Sequence, residues 1–215
     1  MRSPFVSSRL SMCPEPNPYP KRESKDERRA AVALAARALI IEKGLEGLRT
    51  RDIAERVGIN IATLHYHVPS KEALIALVAE SLRDDFKSQA LRHPKTGLDA
   101  AAQLRAEFRE FRETVAEAPE VIGVLSELVD RSRRDASIAE IILPMQAYWT
   151  RQFAQIFSLG IEDGSFRSSI DPEAAAVITT AALTDCWRPH RRDRLDAVMA
   201  ELERAFAPFL PSSKG

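Results

Sequence analysis

Residues 48–77 read LRTRDIAERVGINIATLHYHVPSKEALIAL, and the punctuation of this stretch decides the fold. Thr50 offers a hydroxyl that can cap the backbone ahead of a short helix carrying Ile53, Ala54 and Val57 on one face. Gly58 can adopt positive φ, so that helix ends there and the chain turns sharply. Asn60 is a second cap, and the spacing predicts a second short helix from Ile61 to about His67 with Leu64 as its inward anchor. Pro69 stops it, and Ser70 caps a third helix at Lys71-Glu72, where Ala73, Leu74, Leu77 and Val78 repeat at helical intervals. Two short helices joined by a capped glycine turn make a helix-turn-helix. The outward residues of its second helix are Thr63, His65, Tyr66 and His67, flat or short hydrogen-bonding groups that can reach base edges and phosphates. Lys71 sits at a helix N-terminus, whose open N–H groups also suit a phosphate.

This segment resembles the DNA-binding domain of the TetR family of bacterial transcriptional regulators. The matching residues are Gly44, Leu48-Arg49-Thr50, Asp52-Ile53-Ala54, Val57-Gly58-Ile59, Thr63-Leu64, Tyr66-His67-Val68 and Ser70-Lys71-Glu72-Ala73-Leu74. The resemblance runs from about Lys25 to Leu82. It implies that Thr50 contacts phosphate, that Thr63 and His65 reach bases or nearby backbone, and that Tyr66, His67 and Lys71 grip phosphates. Asn60 and Ile61, at the start of the recognition helix, complete the candidate DNA-contacting set. Two positions depart from the common pattern: Ile61 stands where a polar or basic residue is frequent, and His65 where tyrosine is usual. The operator sequence therefore does not carry over. The resemblance further implies a ligand-responsive homodimer, more often a repressor, bound to a palindromic double-stranded operator, with a helical effector cavity that changes the spacing of two recognition helices. A helical DNA-binding or protein-interaction module without a small-molecule switch is the alternative.

Composition agrees with an all-α protein of this kind. With 215 residues, the chain can build one small and one larger helical domain. Its 31 basic and 31 acidic residues cancel, which excludes a globally basic nucleic-acid coat but not one basic face. Between Lys21 and Arg92, fourteen Lys or Arg stand against eleven Asp or Glu, so the cationic excess lies in the proposed reader. Cys13 and Cys186 are far apart and fit a reducing cytoplasm better than a disulfide framework. Met1 to Pro20, with five prolines, is expected to be a disordered or extended arm without the apolar core of a secretory signal. Lys21, Arg22, Lys25, Arg28 and Arg29 follow it, either supplementing phosphate contacts or forming a solvated helix start. No run approaches the roughly twenty apolar residues that span a bilayer, so no membrane partner is expected.

The expected organisation is an arm at 1–22, a three-helix DNA-binding domain at 23–70, a helical ligand-binding and dimerisation domain at 71–211, and a tail at 212–215. The first helix should run from Ser24 to Lys43, with Val32, Ala36, Leu39 and Ile40 inward and Gly44 closing it. Later helices are expected at about 72–91, 98–116, 120–131, 137–159, 172–186 and 194–206. Pro144 should kink or break one of them, and Gly160 and Gly164 should mark a loop.

Candidates for the wall of an effector cavity are Phe108, Phe111, Met145, Tyr148, Trp149 and Phe153, which would suit a small, mostly apolar ligand or else be plain core. Arg105, Arg109 and Arg112 alternate with Glu107, Glu110 and Glu113, a pattern expected of a solvated face. The last two helices carry Ala174, Val177, Ile178, Ala181 and Ala182 on one, and Leu195, Val198, Met199, Leu202 and Phe206 on the other. Paired with their copies, they are expected to form a four-helix dimer interface, unless they close the subunit's own core. No catalytic group, metal site or cofactor is expected: His65 and His67 are two residues apart rather than three or four, and no phosphate loop or nucleophile elbow is present.

Overall fold

The computed structural model describes residues 24–208, and all regular structure among them is helical. The expected arm at 1–22, with Lys21, Arg22 and Cys13, and the tail at 212–215 lie outside the described residues. Helix α1, Lys25–Lys43, starts with a reciprocal cap. The Glu27 N–H donates to Ser24 Oγ at 3.1 Å, and the Ser24 N–H donates to the Glu27 carboxylate at 2.7 Å. The Ser24 N–H, and after it the Ser24 hydroxyl, hold the Glu27 carboxyl below its ordinary pKa. Val32, Ala36, Leu39 and Ile40 are all buried, and Gly44, at φ 69°, closes the helix.

Helix α2, Thr50–Val57, begins one residue earlier than the expected cap would allow. Arg49 is the N-cap, in extended backbone with no side-chain capping bond, and Thr50 is the first helical residue. A side-chain cap is a preference worth about 1 kcal/mol, and here packing of Ile53 and Ala54 places the helix without one. Gly58 takes the left-handed conformation, φ 73° and ψ 33°, and the chain turns into α3, Ile61–His67. Asn60 Oδ1 accepts the Thr63 N–H at 2.7 Å, and Leu64 is the one buried residue of α3. Ser70 caps α4, Lys71–Arg92, by accepting the Ala73 N–H at 3.1 Å.

Beyond the reader come α5, Ala100–Glu117, α6, Pro119–Ser132, and α7, Ala136–Asp163, then α8, Pro172–Asp185, and α9, Leu195–Phe206. A 3₁₀ turn at Pro189–Arg194, unanticipated in the sequence, joins the last two. Helix α7 runs uninterrupted through Pro144. Both Pro144 and Glu140, whose carbonyl loses its intrahelical partner, are exposed, so water can satisfy what proline leaves open. Gly160 is not in a loop but buried in the last turns of α7. A Cβ there would stand 1.9 Å from Phe166 Cδ2, so only glycine lets that ring lie against the helix. Gly164, at φ 80°, is the helix terminator.

One apolar cluster runs through all nine α-helices of the described residues. Helix α4 packs on both α1 and α7, while α6 packs on both α1 and α7. The reader is bolted to the rest at α6: the Leu45 N–H donates to Glu127 Oε1 at 3.1 Å, and Arg131 pairs with Glu46 and Asp135. The apolar stripe of α9 is not left for a partner copy. Leu195, Met199, Leu202 and Phe206 are buried in the subunit's own core, with the Phe206 ring 4.6 Å from that of Phe157. Helix α8 differs: Ala174, Val177, Ile178 and Ala181 are exposed, while Ala175, Ala176, Thr179 and Leu183 face inward.

Candidate nucleic-acid interface

The seven residues of α3 cannot hold a helix alone; its cap at Asn60 and its anchor at Leu64 place it. With Leu64 inward, Ile61, Ala62, His65 and Tyr66 stand exposed, Tyr66 at 75 %. Thr63 and His67 are half-buried at the edges of that face. Asn60 uses its side-chain oxygen for the cap, so its first role is to fix α3. The Tyr66 ring meets His67 edge-on, with centroids 5.2 Å apart, and His67 Nδ1 is buried without a hydrogen-bond partner among the described residues. Thr50 is exposed at the start of α2, between the exposed Arg49 and Arg51.

The cations of this domain divide into two groups. Arg56 makes two bonds of 2.8 Å to the Glu42 carboxylate, and Lys43 Nζ lies 2.6 Å from Asp52 Oδ2, so α1 and α2 are clasped together. Both carboxyls are held below their ordinary pKa values, chiefly by these bonds to Arg56 and Lys43. Because the pairs are at the surface, they orient the helices more than they stabilise them. Arg37 pairs with Asp85 at 2.7 Å. Arg29, a sequence candidate for phosphate, instead bridges three helices, donating to the His67 carbonyl at 3.4 Å and to Glu80 at 3.2 Å. Its partners lie 38 and 51 residues away, beyond any local pattern. Arg51 and Lys71 enter no ion pair among the described residues, and both are exposed. Together these features make a capped helix with an exposed polar face, flanked by cations available to an anion, which defines a helix-turn-helix DNA-binding protein.

The aromatic candidates are brought together only in part. Phe108, Phe111 and Phe153 are buried, and Trp149 is half-buried. Phe111 stacks on Trp149 at 5.9 Å and on Trp187 at 6.1 Å, both at 9°. Phe153 meets Trp149 edge-on at 5.6 Å. Trp187, absent from the sequence candidates, joins because the turn after α8 folds back over α5 and α7. Met145 packs at the margin of the core, and Tyr148 is 60 % exposed on the opposite side of α7 from Phe153.

The solvated-face reading of α5 holds for its arginines and fails for two of its glutamates. Arg105, Arg109 and Arg112 are exposed, whereas Glu110 is buried and Glu107 nearly so. A step of two residues along a helix is about 200°, so the alternating acids face the other way. There they meet Lys95, which comes from the loop before α5.

Comparison with known proteins agrees with the geometry. Residues 34–78 match the model for bacterial regulatory proteins of the tetR family. The chain is 28 % identical over 163 residues to the HTH-type transcriptional repressor KstR2 of Rhodococcus jostii, covering 74 % of this chain and 78 % of that one. A TetR-family regulator from Agrobacterium tumefaciens superposes with a TM-score of 0.74 at 21 % identity, over 86 % of this chain and all of the other. AibR, solved in complex with isovaleryl coenzyme A and operator DNA, superposes with a TM-score of 0.68 at 21 % identity, over the same shares. Residues 34–78 thus carry the DNA-binding domain of the bacterial tetR regulatory proteins, and most of the chain is similar to TetR-family DNA-binding transcriptional regulators.

Proposed function

We propose that this regulator is a cytoplasmic, ligand-responsive dimer that represses transcription from a palindromic operator. Residues 23–70 would read DNA and residues 71–211 would sense an effector and dimerise. The observation that carries the DNA-binding reading is the exposed face of α3, with Ile61, His65 and Tyr66 beside Thr50, Thr63, His67 and Lys71. The name of the KstR2 relative supports repression, and the AibR complex supports joint control by a ligand and an operator within this fold. Dimerisation rests on the exposed α8 stripe, and effector control on the packing of α6 against the α1–α2 loop. No helix among the described residues is long and apolar enough to cross a membrane.

Selection of bound fragments from a genomic library with the purified protein tests this reading. An enriched palindrome with half-sites about one helical turn apart, or slightly more, is the expected result. Uniform retention of all fragments would overturn it.

Lys71 allows a finer test. It lies at the N-terminus of α4 and makes no ion pair among the described residues, so it should neutralise one phosphate. Lys71→Ala should weaken operator and random DNA alike and reduce the slope of log affinity against log salt by about one unit. An unchanged slope would remove Lys71 from the interface.

A further inference from the structure

The described residues contain a cleft of about 250 Å³ that the aromatic candidates do not line. Its walls are Ala90 and His93 from the end of α4, Lys95 from the loop, Gln103 and Glu107 from α5, and Gln152, Gln155, Ile156 and Leu159 from α7. Such a volume lies below the roughly 300–1,000 Å³ of drug-sized pockets, so it suits a small molecule. The Lys95 ammonium lies between two carboxylates, paired with Glu107 and 3.1 Å from Glu110 Oε2. Glu110 is 8 % exposed, and its other oxygen is buried with no hydrogen-bond partner among the described residues. Two acids therefore share one base in a region withdrawn from water. The adjoining His93–Glu113 pair, at 3.2 Å, brings a further carboxylate and no permanent cation. From α7 the lining is two amides and two aliphatic side chains, without charge.

An anionic ligand would find the only lining lysine already saturated and two carboxylates behind it. A cation would supply the countercharge that one lysine between two carboxylates leaves missing. The aliphatic wall of Ala90, Ile156 and Leu159 could cover a short hydrocarbon. We propose that this cleft binds a small aliphatic amine, its ammonium group held by Glu107, with the charge of Glu110 behind it, and its hydrocarbon body lying against Ile156 and Leu159. This deepens the effector reading above, on which any link to the operator rests; amine binding itself does not depend on it.

Burial pushes the Glu107 carboxyl above its ordinary pKa against the opposing pull of Lys95. A proton and an entering ammonium therefore compete for this carboxylate on the acidic side. Affinity should rise from mildly acidic toward neutral pH, because the carboxylate form binds and the acid form does not. The groups facing it are Lys95 from the loop and Glu110 from α5, with His93 and Glu113 beside them.

Calorimetric titration of the full chain, without DNA, tests the proposal with n-butylamine and 1,4-diaminobutane against n-butanol and butyrate. The amines are expected to bind, and the alcohol and acid to bind at least tenfold more weakly. Glu107→Gln, shown to be folded by its melting curve, should weaken amine binding by about tenfold or more and abolish the pH dependence. Should Glu107→Gln not fold, Gln155→Glu serves instead: an added carboxylate at the cleft wall should strengthen amine binding. Equal binding of amine and alcohol, or amine affinity untouched by the change that folds, would overturn the site. Since DNA is absent from the assay, failure of the operator reading would leave this result standing, and the converse holds as well.

Discussion

Ile178→Arg is expected to leave the protein monomeric at micromolar concentration and to lower operator affinity by about 10²- to 10⁴-fold. Helix α8 presents Ala174, Val177, Ile178 and Ala181 at intervals of three, four and seven residues, and Val177 and Ile178 are 57 % and 56 % exposed. The opposite face, with Ala176, Thr179 and Leu183 fully buried, already holds the helix on α7 and α9. The outer stripe therefore has no task within the subunit. Its small residues allow a second α8 to approach closely, and its two branched residues supply apolar area to hide from water. An arginine at position 178 would place a charge where two copies meet and leave it without a partner. Because the site is exposed in the single subunit, its melting temperature should scarcely change. The loss on DNA follows from linkage: a palindrome is read by two recognition helices tied together, and the tether multiplies affinity by the effective concentration of the second. Sedimentation and operator titration of wild type and Ile178→Arg decide the matter. A variant that still sediments as a dimer, or a monomer with full operator affinity, would remove α8 from the assembly.

The reader was legible because its signals are local. Asn60 and Ser70 cap within three residues, Gly58 turns within one, and Leu64 needs only the helical period to be placed inward. Thr50 shows where local signals stop, since the hydroxyl that looked like a cap sits one residue inside the helix. Gly160 carries the same lesson from the other side. A glycine reads as a break unless the ring it accommodates is known, and Phe166 arrives from beyond the end of the helix. The stripe on α9 was seen but its destination was not, because an amphipathic face looks alike whether it meets its own subunit or a copy. Likewise, the alternating charges of α5 could be told apart only once Lys95 was seen to reach Glu107 and Glu110. Arg29 and Trp187 were invisible as partners for the same reason, because their contacts join segments far apart in the chain.

Leu64→Ala should cost about 2–5 kcal/mol, a large share of the 5–15 kcal/mol that a typical domain has to lose. Leu64 is 1 % exposed and is the sole buried residue of α3, so its removal leaves a cavity under the recognition helix rather than a gap that neighbours on the same helix can fill. Seven residues have too few hydrogen bonds to persist once that anchor is gone. The backbone amides of α3 should then exchange with solvent much faster, and operator affinity should fall as the ordered form becomes scarce. The contrast with Lys71→Ala separates the two causes. There, DNA affinity and its salt dependence should change while melting and amide exchange do not, because the lysine is exposed and is not part of the core cluster. With Leu64→Ala the salt slope of the remaining binding should be that of wild type, since the residues proposed to meet phosphate are intact. Hydrogen exchange read at α3, together with operator titration at several salt concentrations, makes the comparison. Native-like protection of α3 in Leu64→Ala would show that contacts other than this leucine hold the recognition helix in place.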